Sequence, residues 1–238
     1  MRSVGFSTGA LARSDFRLAL QMLAGKEVSA VELSALRQDE LVPLVNHIGQ
    51  LDLTPFEYVS FHAPSTMEPV FEPLALELLE RVAARGWLII VHPDAMHTRS
   101  EWARLGDRLC LENMDKRKPI GQTAKDLAAL FEELPNASLC FDIGHARQVD
   151  PTMSEASAIL RRFRDRIGQL HVSEVNTESR HDRLSLESIL AFQKVCHLVP
   201  PDVPMILESR VDEAEINEEI RSALSALNPA GQLAVAGD

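Results

Sequence analysis

Leu139-Cys-Phe-Asp-Ile-Gly-His-Ala146 is a short apolar run that ends on the carboxylate of Asp142, with His145 three residues later. A buried strand that ends on a charged residue should reach a surface there. Five other apolar runs end in the same way on His or Glu, at His62, His92, Glu112, His171 and Glu208. We therefore expect six strands to carry a metal-capable residue at their carboxyl ends.

These runs belong to a repeating pattern of strand and helix, with a repeat of about 25 to 30 residues that is typical of parallel sheets. Eight units follow one another without a composition break or a long linker. This pattern predicts a single (β/α)8 barrel over residues 1–228, followed by a flexible tail at 229–238. The predicted strands are Ser3–Ser7, Ala30–Leu33, Tyr58–His62, Trp87–His92, Leu109–Glu112, Leu139–Asp142, Ile167–Ser173 and Val203–Glu208.

Three local features are predicted from short stretches of the sequence. Ser14 is a candidate N-cap for the first helix. The residues from Asp142 to His145 are expected to form a Gly-containing turn, and Glu174–Arg183 a polar loop.

The composition and charge argue against a nucleic-acid-binding, disulfide-bonded or membrane-spanning protein. The 238 residues carry a formal charge of −11, and an acidic chain is a poor default partner for the phosphates of nucleic acid. Three cysteines without CxxC spacing indicate reduced thiols. No export signal or membrane-length apolar segment is evident. We expect a cytoplasmic protein with a small-molecule substrate, and we leave its oligomeric state open.

Four strand-end residues form the core of the predicted site, because a barrel gathers the carboxyl ends of its strands at one face. Three carboxylates around one imidazole would repel one another unless a cation lay between them. Mixed nitrogen and oxygen ligands suit Zn, Mn, Co or Fe(II), and Mg is an alternative. The predicted metal ligands are Glu112, Asp142, His171 and Glu208.

Other polar residues are predicted to line the same mouth. His62 and His92 end strands and precede turn signals, so each is a candidate ligand for a second metal ion or a contact for substrate. His145 and His181 could bind a metal or substrate, with a solvated polar loop as the alternative for His181. Arg210 shares the strand-face parity of Glu208 and is a candidate substrate contact.

The ordered motifs resemble the xylose isomerase-like TIM-barrel superfamily, which contains sugar isomerases and epimerases together with endonuclease IV enzymes. The resemblance runs from the third strand to the eighth and rests on the set as a whole. Its motifs are His-Ala-Pro at 62–64, His-Pro at 92–93, Glu-Asn at 112–113, Asp-x-Gly-His at 142–145, and the later His171 and Glu208.

The epimerase-like members imply one divalent metal ion on the four core residues, with Glu112 and Glu208 as the acid/base pair and His145 as a contact to a substrate hydroxyl. The endonuclease IV-like members imply three zinc ions, with Glu112 bridging two of them. The third zinc ion of those members needs an Asp-x-His pair, and this chain has Asp182-Arg-Leu184 at that place. The motif is broken there, although His181 and Asp182 could substitute for it.

From these features we predict a metal-dependent isomerase or epimerase that acts on a small sugar or polyol-like substrate by proton transfer at carbon. One divalent metal ion per chain is expected, with two as the alternative. The first alternative is a two- or three-metal phosphoesterase of endonuclease IV type. The second is a barrel that binds a sugar-like ligand without turning it over.

Overall fold

The computed structural model describes residues 2–227, and eight parallel strands in this part of the chain close into a barrel. This confirms the predicted fold class. Around the barrel the strands follow the order β1-β10-β7-β6-β5-β4-β3-β2, and β8 and β9 form a separate antiparallel hairpin. The strands are β1 (Val4–Ser7), β2 (Ala30–Ser34), β3 (Tyr58–His62), β4 (Ile89–Val91), β5 (Leu109–Glu112), β6 (Ser138–Asp142), β7 (Ile167–Val172), β8 (Glu174–Val175), β9 (His181–Asp182) and β10 (Met205–Leu207).

The longer helices surround the barrel, and each of them buries apolar side chains in the main hydrophobic core. They are α1 (Thr8–Ala12), α2 (Phe16–Leu23), α3 (Gln38–His47), α4 (Glu72–Ala83), α5 (Arg99–Trp102), α6 (Ala124–Glu133), α7 (Ile143–Val149), α8 (Ser154–Arg162), α9 (Leu186–Gln193) and α10 (Ile216–Leu227). Short 3-10 helices lie at Ile48–Gln50, Pro69–Phe71, Pro93–Ala95, Ala103–Arg108, Arg164–Arg166, Cys196–Leu198 and Glu213–Glu215.

The register of the strands sets which polar side chains are neighbours. Asp142 at the end of β6 pairs with His171 of β7, and Glu112 at the end of β5 pairs with Cys140 of β6. Because all the barrel strands are parallel, their carboxyl ends open onto one face. The barrel therefore brings strand-end residues far apart in sequence to a common mouth.

The structure corrects three of the local predictions. The expected turn after Asp142 is the start of helix α7, because the Asp142 carboxylate accepts a hydrogen bond from the His145 amide and caps the helix. The expected loop at Glu174–Arg183 contains the β8–β9 hairpin, in which Asn176 N donates to the carbonyl of Arg180. The first long helix is capped by Asp15, not by Ser14, since its carboxylate is the acceptor for the Leu18 amide.

The predicted tail at 229–238 lies outside the described residues. None of the helices within residues 2–227 is both long and apolar enough to cross a bilayer.

Candidate metal centre at the barrel mouth

Two histidines from neighbouring strands point at one oxygen of Glu112. His62 ends β3 and places its Nε2 3.2 Å from Glu112 Oε2, while His92 follows β4 and places its Nε2 3.3 Å from the same oxygen. Both contacts are almost inaccessible to solvent, since the side chain of Glu112 is 1% exposed. One ligand atom from each of the three residues lies within 4.8 Å of the others, which makes them a possible metal-binding group.

The other oxygen of Glu112 faces a second group. His171 Nδ1 lies 3.6 Å from Glu112 Oε1 and 3.5 Å from Glu208 Oε2. With Asp142 these residues form a four-member group whose ligand atoms again lie within 4.8 Å of one another. The sequence predicted this set of four, and the structure gathers it at one place. Glu112 belongs to both groups and is positioned to bridge them.

A third group comprises Asp142, His145 and His181. His145 lies in the first turn of α7, and the β8–β9 hairpin carries His181 to a ring-centroid distance of 5.2 Å from it. Asp182 is exposed and instead accepts a hydrogen bond from Asn176 Nδ2 at 2.7 Å. Of the two residues that could substitute for the broken Asp-x-His motif, His181 belongs to this group and Asp182 does not.

Backbone groups fix the orientation of two of these histidine rings. His62 Nδ1 donates to the carbonyl of Ala63 at 2.6 Å, and His145 Nδ1 donates to the carbonyl of Asn113 at 3.0 Å. A carbonyl can only accept, so each ring carries a proton on Nδ1, and Nε2 is the nitrogen that a metal ion could bind.

A metal ion fits the donor set, because buried polar atoms at the mouth lack partners. Such atoms usually have a hydrogen-bond partner, and an orphaned one requires an explanation. A cation at the mouth would supply partners to nitrogen and oxygen atoms of the kind that Zn, Mn, Co and Fe bind. The atoms without a hydrogen-bond partner among the described residues include His92 Nδ1, Asp142 Oδ2, His145 Nε2 and His171 Nδ1.

Without a metal ion, two histidine rings of the cluster are protonated. Burial opposes the charge on His62, but the hydrogen bond to Glu112 and the charge of Glu32 outweigh it and raise the pKa of His62 to about 9. Burial likewise opposes the charge on His145, and the charge of Asp142 with the hydrogen bond to Glu112 raises its pKa to about 10. At neutral pH both rings are positively charged, and this charge offsets the negative charge of the neighbouring carboxylates.

The two glutamates of the mouth differ in acidity. Burial, together with the carboxylates of Glu112 and Asp142, raises the pKa of Glu208 to about 7 against the favourable charge of His171. The pKa of Glu112 lies well below its ordinary value, because the charges of His92 and His171 outweigh its burial. The same cluster thus contains one carboxyl group whose pKa lies near 7 and another that stays ionised at neutral pH.

A cavity of about 760 Å³ opens above these groups. Three cations on its rim are already paired with acids: Arg117 with Asp115 at 2.9 Å, Lys118 with Asp94 at 2.8 Å, and Arg180 with Glu178 at 3.0 Å. Arg210 also lines the cavity, is exposed, and forms no ion pair within residues 2–227. Lys118 therefore links its own loop to the loop of Asp94, and Arg210 is an arginine of the rim without an acidic partner in this part of the chain.

The sequence did not predict the polar residues that lie inside the barrel below the mouth. Glu32 of β2 is fully buried and contacts His171, and Gln169 of β7 contacts Glu32. Each interrupts an otherwise apolar run, Ala30-Val-Glu-Leu33 and Ile167-Gly-Gln-Leu170. A charged residue in the middle of a doubly buried strand was the signal that could have identified Glu32, since such a group needs a partner.

A closed parallel barrel with histidine and carboxylate ligands at the carboxyl ends of its strands defines a TIM barrel with a metal-capable mouth. The sequence model described as a xylose isomerase-like TIM barrel matches residues 99–229. The chain belongs to this family, as its motifs predicted. No curated protein is significantly similar to it in sequence.

Solved structures share the fold at low sequence identity. Endonuclease IV from Thermus thermophilus is 17% identical, with 94% of this chain and 98% of that chain covered and a TM-score of 0.59. A xylose isomerase domain protein from Alicyclobacillus acidocaldarius is 12% identical, with coverage of 95% and 98% and a TM-score of 0.62. A proposed sugar phosphate isomerase/epimerase from Anabaena variabilis is 13% identical, with coverage of 93% and 88% and a TM-score of 0.58. These likenesses establish the fold alone.

Proposed function

We propose that this protein is a divalent-metal-dependent isomerase or epimerase of a small sugar or polyol-like substrate. The observation that supports this is the group formed by Glu112, Asp142, His171 and Glu208, whose ligand atoms lie within 4.8 Å of one another and which contains two glutamates. Two carboxyl groups on one site can serve as acid and base in one proton transfer.

The ligands proposed for the metal ion are Glu112, Asp142, His171 and Glu208. When bound, a divalent ion would polarise a substrate carbonyl and so acidify the neighbouring C–H bond. One of the two glutamates removes that proton, and the other returns it to a different face or to the adjacent carbon. His145, whose Nε2 has no hydrogen-bond partner among residues 2–227, and Arg210, at the rim, would hold substrate hydroxyl groups.

The proposal is tested by exchange of carbon-bound hydrogen. The protein, loaded with Mn²⁺ or Zn²⁺, is incubated with a panel of aldoses, ketoses and their phosphates in deuterated water, and NMR follows loss of the C–H signal. We expect exchange on at least one substrate and its loss by at least about 100-fold in Glu208→Gln, the scale typical of a proton-transfer group. Glu178→Gln, on the rim, is the matched control. Absence of exchange across the panel would contradict the proposal.

A second candidate function is hydrolysis of a small phosphate ester by two or three metal ions. The observation that favours it is the convergence of His62 and His92 on Glu112 Oε2, at 3.2 and 3.3 Å. A one-ion isomerase has no need of this extra group, whereas paired ions can clamp a phosphate in a displacement reaction. We favour a small ester over DNA because the formal charge of the chain is −11.

The double variant His62→Gln, His92→Gln separates the two functions. An isomerase that uses the four-residue group keeps its C–H exchange and one ion per chain, measured by elemental analysis. A two-metal hydrolase loses one ion and its cleavage of phosphate esters together. The wild-type ion count gives the same distinction before any variant is made.

A further inference from the structure

A carboxylate buried inside the barrel lies directly behind one of the metal-capable histidines. Glu32 of β2 is 0% exposed, and its Oε2 lies 3.0 Å from His171 Nε2, on the opposite side of the ring from Nδ1. The same oxygen accepts hydrogen bonds from Gln169 Nε2 at 2.7 Å and Ser60 Oγ at 3.3 Å. A buried carboxylate is costly unless its partners satisfy it, so its place here requires a reason.

The orientation of Gln169 determines the direction of these hydrogen bonds. The hydroxyl of Tyr58, at the start of β3, donates to Gln169 Oε1 at 2.7 Å. With the amide oxygen turned toward Tyr58, the amide nitrogen points at Glu32 and can only donate to it. Burial raises the pKa of the Tyr58 hydroxyl, which keeps its proton available for this bond.

The tautomer of His171 follows from the same geometry. Gln169 Nε2 also lies 2.9 Å from His171 Nε2, so an unprotonated Nε2 could accept from the amide. In that arrangement, however, the lone pair of Nε2 would also face the acceptor Glu32 Oε2 at 3.0 Å. A proton on Nε2 removes this repulsion and gives the carboxylate a donor. Nδ1 is then the nitrogen left to bind a metal ion, and it faces Glu112 and Glu208.

We infer that Glu32, oriented by Gln169 and Tyr58, is a positioning residue that fixes His171 with Nδ1 toward the mouth and increases its basicity as a metal ligand. The inference rests on the proposed metal site and adds to it residues that touch no ion or substrate. Loss of such an outer partner typically weakens metal binding by about 10- to 100-fold. The effect should be confined to the ion held through His171, because His62 is oriented by the carbonyl of Ala63.

The test is titration of the metal-free protein with Zn²⁺ against a chromophoric chelator. Glu32→Gln should weaken binding of the ion held through His171 by about 10- to 100-fold, and Tyr58→Phe, which removes one hydroxyl, by a smaller factor in the same direction. Glu72→Gln is the matched control, because Glu72 is also buried but binds Trp102 and the amides of His97 and Thr98, away from the mouth. It should bind Zn²⁺ as the wild type does.

A second readout reports the tautomer itself. In the zinc-loaded wild type, a long-range ¹H–¹⁵N spectrum should show His171 protonated at Nε2 with Nδ1 bound, and Glu32→Gln should weaken or shift that Nε2–H signal. A merely structural role of Glu32 would lower the thermal stability and leave this signal and the affinity unchanged.

The outcomes distinguish the inference from the function on which it rests. If the wild type binds no divalent ion, the proposed function fails. If the wild type binds Zn²⁺ and both Glu32→Gln and Tyr58→Phe bind it equally well, or if His171 is protonated at Nδ1, the inference fails and the metal site stands. Tyr58→Phe keeps the test decisive if Glu32→Gln does not fold.

Discussion

Asn113 and Asp142 pair reciprocally across the ends of β5 and β6. Asn113 Nδ2 donates to the Asp142 carbonyl at 2.8 Å, and Asn113 Oδ1 accepts from the Asp142 amide at 2.8 Å. The side chain thus satisfies both backbone groups of Asp142, at the point where helix α7 begins. This pairing holds the Asp142 carboxylate beside His171, with which it is in register.

We expect Asn113→Ala to lower the free energy of unfolding by about 1–3 kcal/mol, because it leaves a buried amide and carbonyl without partners. Urea unfolding followed by circular dichroism measures the loss. The control is Asn217→Ala, which removes an exposed acceptor of the Glu27 amide and should change stability by less than about 0.5 kcal/mol. Equal effects of the two substitutions would show that the pairing adds no stability of its own.

Gly144→Ala should destabilise the protein because of a close approach between helix and strand. A Cβ at Gly144 would lie 2.5 Å from the Ser173 carbonyl oxygen and 2.8 Å from Val175 Cγ2, so α7 or the hairpin would have to move. Overpacking of this kind costs about 1–3 kcal/mol. Thermal unfolding tests it, with Gly49→Ala as control, since the nearest atom to a Cβ there is Arg85 Nη2 at 3.9 Å. A neutral Gly144→Ala would refute the close packing.

The barrel and its strand-end ligands could be predicted because both depend on a simple regularity. Each of six apolar runs ends on His, Asp or Glu, and barrel closure brings such ends together whatever the loops do. Asp142 and His171 could therefore be assigned to one mouth from sequence alone. Their roles as ligands remain predictions.

Features set by contacts between distant segments could not be predicted. Gly144 favoured a turn in the sequence, whereas in the structure its missing side chain lets α7 pack on the backbone of Ser173. The position of His181 depends on the hairpin and on its 2.8 Å hydrogen bond with Ser173. The charge of Glu32 within a buried strand shows in the sequence, but its partners His171 and Gln169 lie more than 130 residues away and only barrel closure brings them together.

Metal binding at pH 7 should release protons to the solvent. Burial opposes the charge on His171, but the charges of Glu208, Glu32 and Glu112 raise its pKa well above the ordinary value, so this proposed ligand is protonated in the metal-free protein. The ring must lose a proton before Nδ1 can bind an ion. Zinc titrations by calorimetry in two buffers of different ionisation enthalpy should give at least about one proton released per ion held through His171. Identical heats in both buffers would be incompatible with this picture.

The metal-free protein should lose stability as the pH rises from 7 to 9. The pKa of His62 and His145 lies above the unfolded value of 6.5, so their contribution is complete below about pH 6.5 and is lost as the pH rises through about 9 to 10. In this window the folded state binds more protons, and the slope is up to about 1.4 kcal/mol per pH unit for each ring. Urea midpoints across the range measure it. The variant His62→Gln, His145→Gln should show a flatter profile, and a wild-type profile that rises instead would contradict the sign.

The β8–β9 hairpin pairs only two residues on each strand, yet it carries His181 to the mouth. A short hairpin opens locally at a lower free energy than the barrel unfolds. Opening would withdraw His181 and leave the two groups that share Glu112 intact. Any ion held by the third group would therefore depend on the opening equilibrium of this hairpin, while the eight-stranded barrel stays closed.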